Sequence, residues 1–153
     1  MKRLIIFASL LILVSSCGSR LVFKEYHKFE NVSWNRFDIV KFEVPVTAGD
    51  ELDFFLFVRH HTDFPYDKLY ANITFYSPSG EMRSADYSFN LKDGKGNWLA
   101  DGLGELWDIE LPIRQNMKFE KTGICEVLIE NNYSHSTTPG LVEVGLIARK
   151  SSD

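Results

Sequence analysis

From Ile39 onward the chain places apolar residues mostly at every second position. Val40, Phe42, Val44 and Val46 alternate with Lys41, Glu43 and Pro45, which predicts a strand with one buried and one wet face. Pro45 cannot donate to a ladder, so this strand end belongs at a sheet edge or a bulge. After a turn at residues 47–50 (TAGD), residues 52–59 (LDFFLFVR) are apolar on both faces. That is the pattern of a central strand covered on both sides or crossing a dimer contact. In residues 69–77, Leu69, Ala71, Ile73 and Phe75 share one face, and Tyr70, Asn72, Thr74 and Tyr76 the other. The Ser77-Pro78-Ser79-Gly80 turn then returns the chain antiparallel through residues 81–91.

Residues 93–104 hold four glycines in twelve positions and read as a long loop. Beyond it, Trp107, Ile109, Leu111 and Ile113 are in phase, as are Cys125, Val127 and Ile129. Residues 137–140 (TTPG) read as a turn, and residues 141–150 close the domain with Val142, Val144, Leu146 and Ala148 inward. Upstream, residues 21–26 form a poorly patterned first strand, and residues 31–38 read as a loop carrying Trp34. After the leader, no segment of ten or more residues repeats apolar positions at helical spacing. Seven to eight short strands with regular turns predict an all-β fold, an antiparallel two-sheet sandwich of immunoglobulin-like or jelly-roll type.

The leader has a different pattern. Lys2 and Arg3 precede an almost unbroken apolar run over residues 4–14, the length of a signal-peptide core and too short to span a bilayer. Val14-Ser15-Ser16-Cys17 follows directly and resembles a bacterial lipobox. The expected processing removes residues 1–16 and attaches lipid to Cys17, leaving residues 17–20 as a tether and residues 21–153 as one sandwich domain. Two or three acyl chains hold a soluble domain firmly at a membrane, where one chain does so marginally.

Charge narrows the classes of partner. Removing Lys2 and Arg3 leaves fifteen basic residues against twenty-one acidic ones, a formal charge of minus six with no basic block. Nucleic-acid binding needs a concentrated Lys/Arg face, so that class is excluded. With Cys17 lipidated, Cys125 has no partner for a disulfide and reads as a buried, inert thiol.

The densest polar cluster, residues 59–68 (RHHTDFPYDK), lies where a central strand gives way to a loop. His60, His61 and Asp63 are chemically suited to a divalent ion. Adjacent residues of an extended strand point to opposite faces, however, so a loop-organising hydrogen-bond cluster is the better reading. Glu105 and Asp108 beside Trp107 suggest a sugar-cleaving pair, but no nucleophile or metalloprotease motif is present and no cofactor is implied. Trp98 and Trp107 flank the glycine-rich loop, where they cap the core or stack on a ligand. Arg59, His60, His61, Asp63, Tyr66, Trp98 and Trp107 together make the candidate interaction surface. A carbohydrate-binding sandwich using Trp34, Trp98 and Trp107 is the alternative reading, and Phe55 with Phe57 is where a homodimer contact would be sought.

Several stretches in order resemble the gliding motility lipoprotein family GldH of the Bacteroidetes. They are VFKEYHKFENVSW at residues 22–34, FLFVRHHTDFPYDKLYANITFYSPSG at 55–80, GNWLADGLGELWDIELPI at 96–113, F-x-x-x-G at 119–123 and PGLVEVGLIARK at 139–150. The resemblance implies a non-enzymatic envelope lipoprotein of the gliding apparatus, whose partners are other gliding or type IX secretion envelope proteins. Gly18-Ser19-Arg20-Leu21 after the cysteine has neither an inner-membrane retention aspartate nor an acidic export cluster. The expected location is therefore the periplasmic face of the outer membrane.

Overall fold

The computed structural model describes residues 20–152; the leader, Cys17 and residues 18–19 of the tether lie outside the described residues. The strands are β1 (Leu21–Lys28), β2 (Ser33–Asn35), β3 (Val40–Val46), β4 (Glu51–His61), β5 (Lys68–Tyr76), β6 (Met82–Asn90), β7 (Asp101–Leu103), β8 (Leu106–Lys118), β9 (Gly123–Asn131), β10 (Thr137–Pro139) and β11 (Leu141–Lys150). A 3-10 turn at Glu30–Val32 is the helical element among the described residues. Eight strands have seven residues or more, and with the short β7 they form two antiparallel sheets, in the orders β1-β11-β4-β8-β7 and β3-β9-β5-β6. This is the expected sandwich.

The inner faces follow the period of two. Val40, Phe42, Val44 and Val46 are buried on β3, Leu69, Ala71, Ile73 and Phe75 on β5, and Cys125, Val127 and Ile129 on β9. They meet Leu52, Phe54, Leu56 and Val58 of β4 across the core, with Phe54 and Phe75 edge to face at 5.1 Å. Burial pushes the Cys125 thiol up to about 12, which leaves it protonated and unreactive at neutral pH. Pro45 sits on β3, an edge strand, as its missing amide requires.

β4 is the central strand of its sheet. Its outer face is apolar because neighbouring strands cover it: Tyr26 packs edge to face on Phe57 at 4.8 Å, and the Arg149 guanidinium lies 4.8 Å from the Phe55 ring. Phe57 is 8% exposed, so little of it remains for a subunit contact.

Three expectations need correction. Residues 31–38 contain β2, which pairs with β10, and residues 137–140, expected as a turn, supply β10. Residues 93–104 contain β7, which pairs with the start of β8. Each of these strands has three residues, too short to show any period. The reason for the β2–β10 ribbon is Trp34, which is fully buried and stacked on Phe29 at 5.1 Å. Asn131 fastens the ribbon from the core side, donating to the Trp34 carbonyl at 3.0 Å and to the Thr138 hydroxyl at 2.9 Å.

The registers place the chain's features at two poles. Residues 47–50, 77–81 and 119–122 link strands at one pole, where β1 begins and β11 ends. Arg20 clamps that junction, donating to the Lys150 carbonyl at 2.8 Å and the Ser152 hydroxyl at 2.6 Å. Residues 29–39, 62–67, 91–105 and 132–140 connect strands at the opposite, distal pole.

Candidate interaction surface

The residues singled out above gather at and just below the distal pole, but on different faces of the sheet. Arg59 and His61 leave β4 outward and His60 leaves it inward, as alternation along a strand dictates. Arg59 donates to Asp108 on β8 at 2.7 and 2.6 Å and to Glu143 on β11 at 3.2 Å, so one guanidinium ties three neighbouring strands. The hydrogen bonds to Asp108 raise its pKa further above the ordinary guanidinium value.

His60 belongs to the core and offers no surface. Its ring is fully buried, 4.3 Å from Trp98 and 5.6 Å from Phe64. Nδ1 lies 3.0 Å from the His61 carbonyl and must donate to it, which leaves Nε2 as an acceptor with no partner among the described residues. Burial pushes this imidazole below its ordinary pKa, against the opposing pull of that hydrogen bond.

His61 is held the other way round. The Asp63 backbone N–H donates to its Nδ1 at 3.2 Å, so Nε2 carries the proton and faces Glu105 at 3.3 Å. Thr62 donates its N–H to the Glu105 carbonyl at 2.8 Å and accepts from the Trp107 indole at 2.9 Å. His61, Thr62, Asp63, Glu105 and Trp107 thus form one hydrogen-bonded corner, in which the Asp63 and Glu105 side chains are 87% and 81% exposed. Among the described residues, no group of three or more His, Cys, Asp or Glu side chains is arranged to hold a metal ion. Asp108 is engaged by Arg59, and Glu105 by His61.

A second cluster lies behind this corner. Trp98 packs on His60 and is covered by the Lys92 ammonium at 4.4 Å, while Lys92 also pairs with Asp67 at 2.8 Å. Tyr66 packs against Phe64 at 5.6 Å, Tyr133 at 4.8 Å and His135 at 6.1 Å. Trp34 is buried and Trp98 is engaged by His60 and Lys92, which leaves Trp107 as the tryptophan of the outward-facing corner. Its ring lies directly on Gly102, where a Cβ would come within 2.4 Å of it.

Some exposed residues went unread in the sequence. Leu103 at the β7–β8 turn is 91% exposed and Phe37 is 85% exposed. Phe37 and Ile39 border a surface groove of about 780 Å³ that Phe29, Asn31 and Ser33 also line. The flanking Gly102 and Gly104 mark the Leu103 turn; nothing in the local pattern separates Phe37 from a core residue. The surface can make hydrogen bonds, ion pairs and apolar contacts at its rim, which is the chemistry of recognition.

Comparison with known proteins gives the same family that the sequence resembles. The family model described as GldH lipoprotein matches residues 21–147. A protein of Christiangramia forsetii named "Gliding motility lipoprotein GldH homolog" is 28% identical over 126 residues, covering 82% of this chain and 76% of that protein. Among solved structures, those of infectious bursal disease virus Gx and Gt strains are similar at 14% identity with TM-scores of 0.26 and 0.30. They cover 87% and 85% of this chain, which spans 35% of each of theirs, and a likeness that loose carries no argument.

Proposed function

The chain belongs to the GldH lipoprotein family, and from that premise we propose that it is a non-catalytic envelope lipoprotein of the gliding apparatus, a protein-interaction module tethered through lipid on Cys17. Residues 17–20 are the tether and residues 21–153 the working domain. It sits on the periplasmic face of the outer membrane and binds other gliding or type IX secretion envelope proteins.

The observation that carries this reading is the division between poles. Arg20, where the tether enters the fold, is clamped to Lys150 and Ser152 at one end. The His61–Glu105–Trp107 corner and the exposed Leu103 stand at the other. Three residues of extended chain reach roughly 10 Å, so the tether pole stays near the bilayer and the distal pole faces away from it. Deletion of the gene in a gliding host tests the role. The expected result is loss of spreading on a surface; normal spreading, with the protein shown to be made in the parent strain, contradicts it.

A further inference from the structure

Four long strands bound the two sheets, and three of them carry features that discourage further pairing. β1 is charged at Lys24, Glu25 and Lys28 and its ladder shifts register near Leu21 and Phe23. β3 carries Pro45. β8 is paired by β7 at residues 106–108 and carries Pro112 beyond them. The Thr62 N–H bond to the Glu105 carbonyl sets the alternation along β4 and β8, so Pro112, opposite Phe55, turns its nitrogen to the open edge. The Tyr87 hydroxyl also donates to the Ile113 carbonyl at 3.0 Å. These are the usual means by which proteins blunt sheet edges.

β6 carries two charged residues, and both are engaged by neighbours: Arg83 donates to Glu81 at 2.7 Å and Asp86 accepts from Asn72 at 2.7 Å. The strand contains neither proline nor lysine, and pairs with β5 over nine residues with no register shift. Leu91 donates its N–H to the Asp67 carbonyl and Ser77 donates to the Glu81 carbonyl, both at 2.8 Å. These two bonds bracket the β5–β6 ladder and fix its alternation. The backbone groups of Arg83, Ala85, Tyr87 and Phe89 turn toward β5, and those of Met82, Ser84, Asp86, Ser88 and Asn90 turn outward. Among the described residues, no strand pairs with that outward edge.

The side chains along it leave the edge clear. Ser84 accepts from Thr74 at 2.8 Å, and Asp86 accepts from Asn72 at 2.7 Å and from Asn132 at 3.1 Å, so both are drawn back over β5 and its neighbour. On the inward face, Tyr87 and Phe89 stack at 5.3 Å and remain half-buried, and Ala85 is exposed. An aromatic strip therefore lies beside a row of open amides and carbonyls.

We propose that the outer edge of β6 receives an extended segment of a partner polypeptide, which adds to the four-stranded sheet as a fifth strand. The segment that fits alternates apolar residues, set against Tyr87 and Phe89, with small polar residues beside Ser84, Asp86 and Ser88. This inference rests on the reading of the chain as an interaction module. A second copy of the chain is not the occupant. A symmetric pair of β6 edges runs antiparallel, which sends the two tether poles to opposite ends of the assembly. With the tether pole at the bilayer and the distal pole away from it, as proposed above, one copy's tether would start roughly 30 Å from the membrane, beyond the reach of roughly 10 Å of chain.

The test uses the full-length lipidated protein in intact cells, with a photoreactive residue placed at Met82, Ser88 or Asn90 in turn. The crosslinked segments are mapped by mass spectrometry. The expected products lie on one segment of one partner, those from Ser88 and Asn90 two residues apart. Ser88→Pro removes an outward N–H that β5 does not use; it should lower the yield from Met82 and Asn90 at least tenfold and leave the purified protein folded. Ser88→Lys, which keeps the backbone donor but places a charge on the edge, should lower it as well. Crosslinks to the same chain, products without the two-residue step, no product from an expressed protein, or yields that survive both variants overturn the proposal. Normal spreading of a deletion strain would refute the gliding role and leave the crosslink pattern intact, so the two failures are distinguishable.

Discussion

Arg59 holds Asp108 through two hydrogen bonds, Nε to Oδ1 at 2.7 Å and Nη2 to Oδ2 at 2.6 Å, across the β4–β8 ladder. Both side chains are a little over a third exposed, so solvent screens the pair. A double-mutant cycle with Arg59→Ala and Asp108→Ala should give a coupling of about 1 kcal/mol, the upper range for a surface pair because the geometry is bidentate. Chemical denaturation measures it. A coupling indistinguishable from zero would mean that the contact orders the surface without stabilising the fold.

Asn131 makes three bonds from a buried position. Besides its two donations to the β2–β10 ribbon, its Oδ1 accepts the Tyr133 N–H at 3.0 Å. Asn131→Ala leaves a carbonyl, a hydroxyl and an amide without their partner and should cost about 3 kcal/mol. Tryptophan fluorescence should shift to the red as Trp34 becomes wet. Unchanged stability would show that the ribbon is held by Trp34 packing alone.

His60 should make stability pH-dependent. Burial lowers its folded-state pKa below the ordinary 6.5, so between those two values the unfolded chain binds more protons than the folded one. The stabilising contribution is complete above pH 6.5 and is lost as pH falls through the folded pKa. His60→Leu should flatten that part of the stability profile, while staying within about 1 kcal/mol of the wild type at pH 7, because it removes the orphaned Nε2 together with the Nδ1 bond. A profile of unchanged slope would place the pH dependence elsewhere.

Val32 has φ of 51° and a side chain 42% exposed. A β-branched residue is strained there and gains little from burial, whereas asparagine tolerates this conformation. Val32→Asn should therefore stabilise the protein by about 1 kcal/mol, read as a higher melting temperature. A lower melting temperature would show that the methyl groups contribute more packing than their exposure suggests.

Gly102→Ala tests the seat of Trp107. The added methyl would meet the indole at 2.4 Å, so the ring or the β7–β8 turn must shift. A loss of about 1–3 kcal/mol is expected, together with a change in near-ultraviolet circular dichroism. Neither change would mean that the ring moves aside freely.

β3, β5 and β9 were legible because one face of each is buried and the other is more exposed, and β4 because its apolar run continues on both faces. β3 reads Val40, Phe42, Val44, Val46 inward, with Lys41, Glu43 and Pro45 outward. The opposed directions of His60 and His61 followed from strand geometry alone. Trp34 was misread because three-residue strands carry no period, and its burial depends on β10, about a hundred residues away. The β6 edge was equally hidden, since a free edge is defined by the neighbours a strand lacks. The tail of β8 past Ile113 runs through Arg114, Gln115 and Asn116, where bulges opposite Leu52, Phe54 and Phe55 break the alternation that a sequence reader relies on.

The domain is proposed to work in the gliding apparatus while held to the membrane by lipid on Cys17. The most direct measurement is surface spreading of a gliding host whose own copy is deleted and replaced in turn by the wild-type chain and by Cys17→Ala, with cell fractions probed for the protein. The wild type should restore spreading from the membrane fraction, and Cys17→Ala should leave the membrane and fail to restore it. A Cys17→Ala protein that remains fully membrane-bound and supports normal spreading would contradict that proposal.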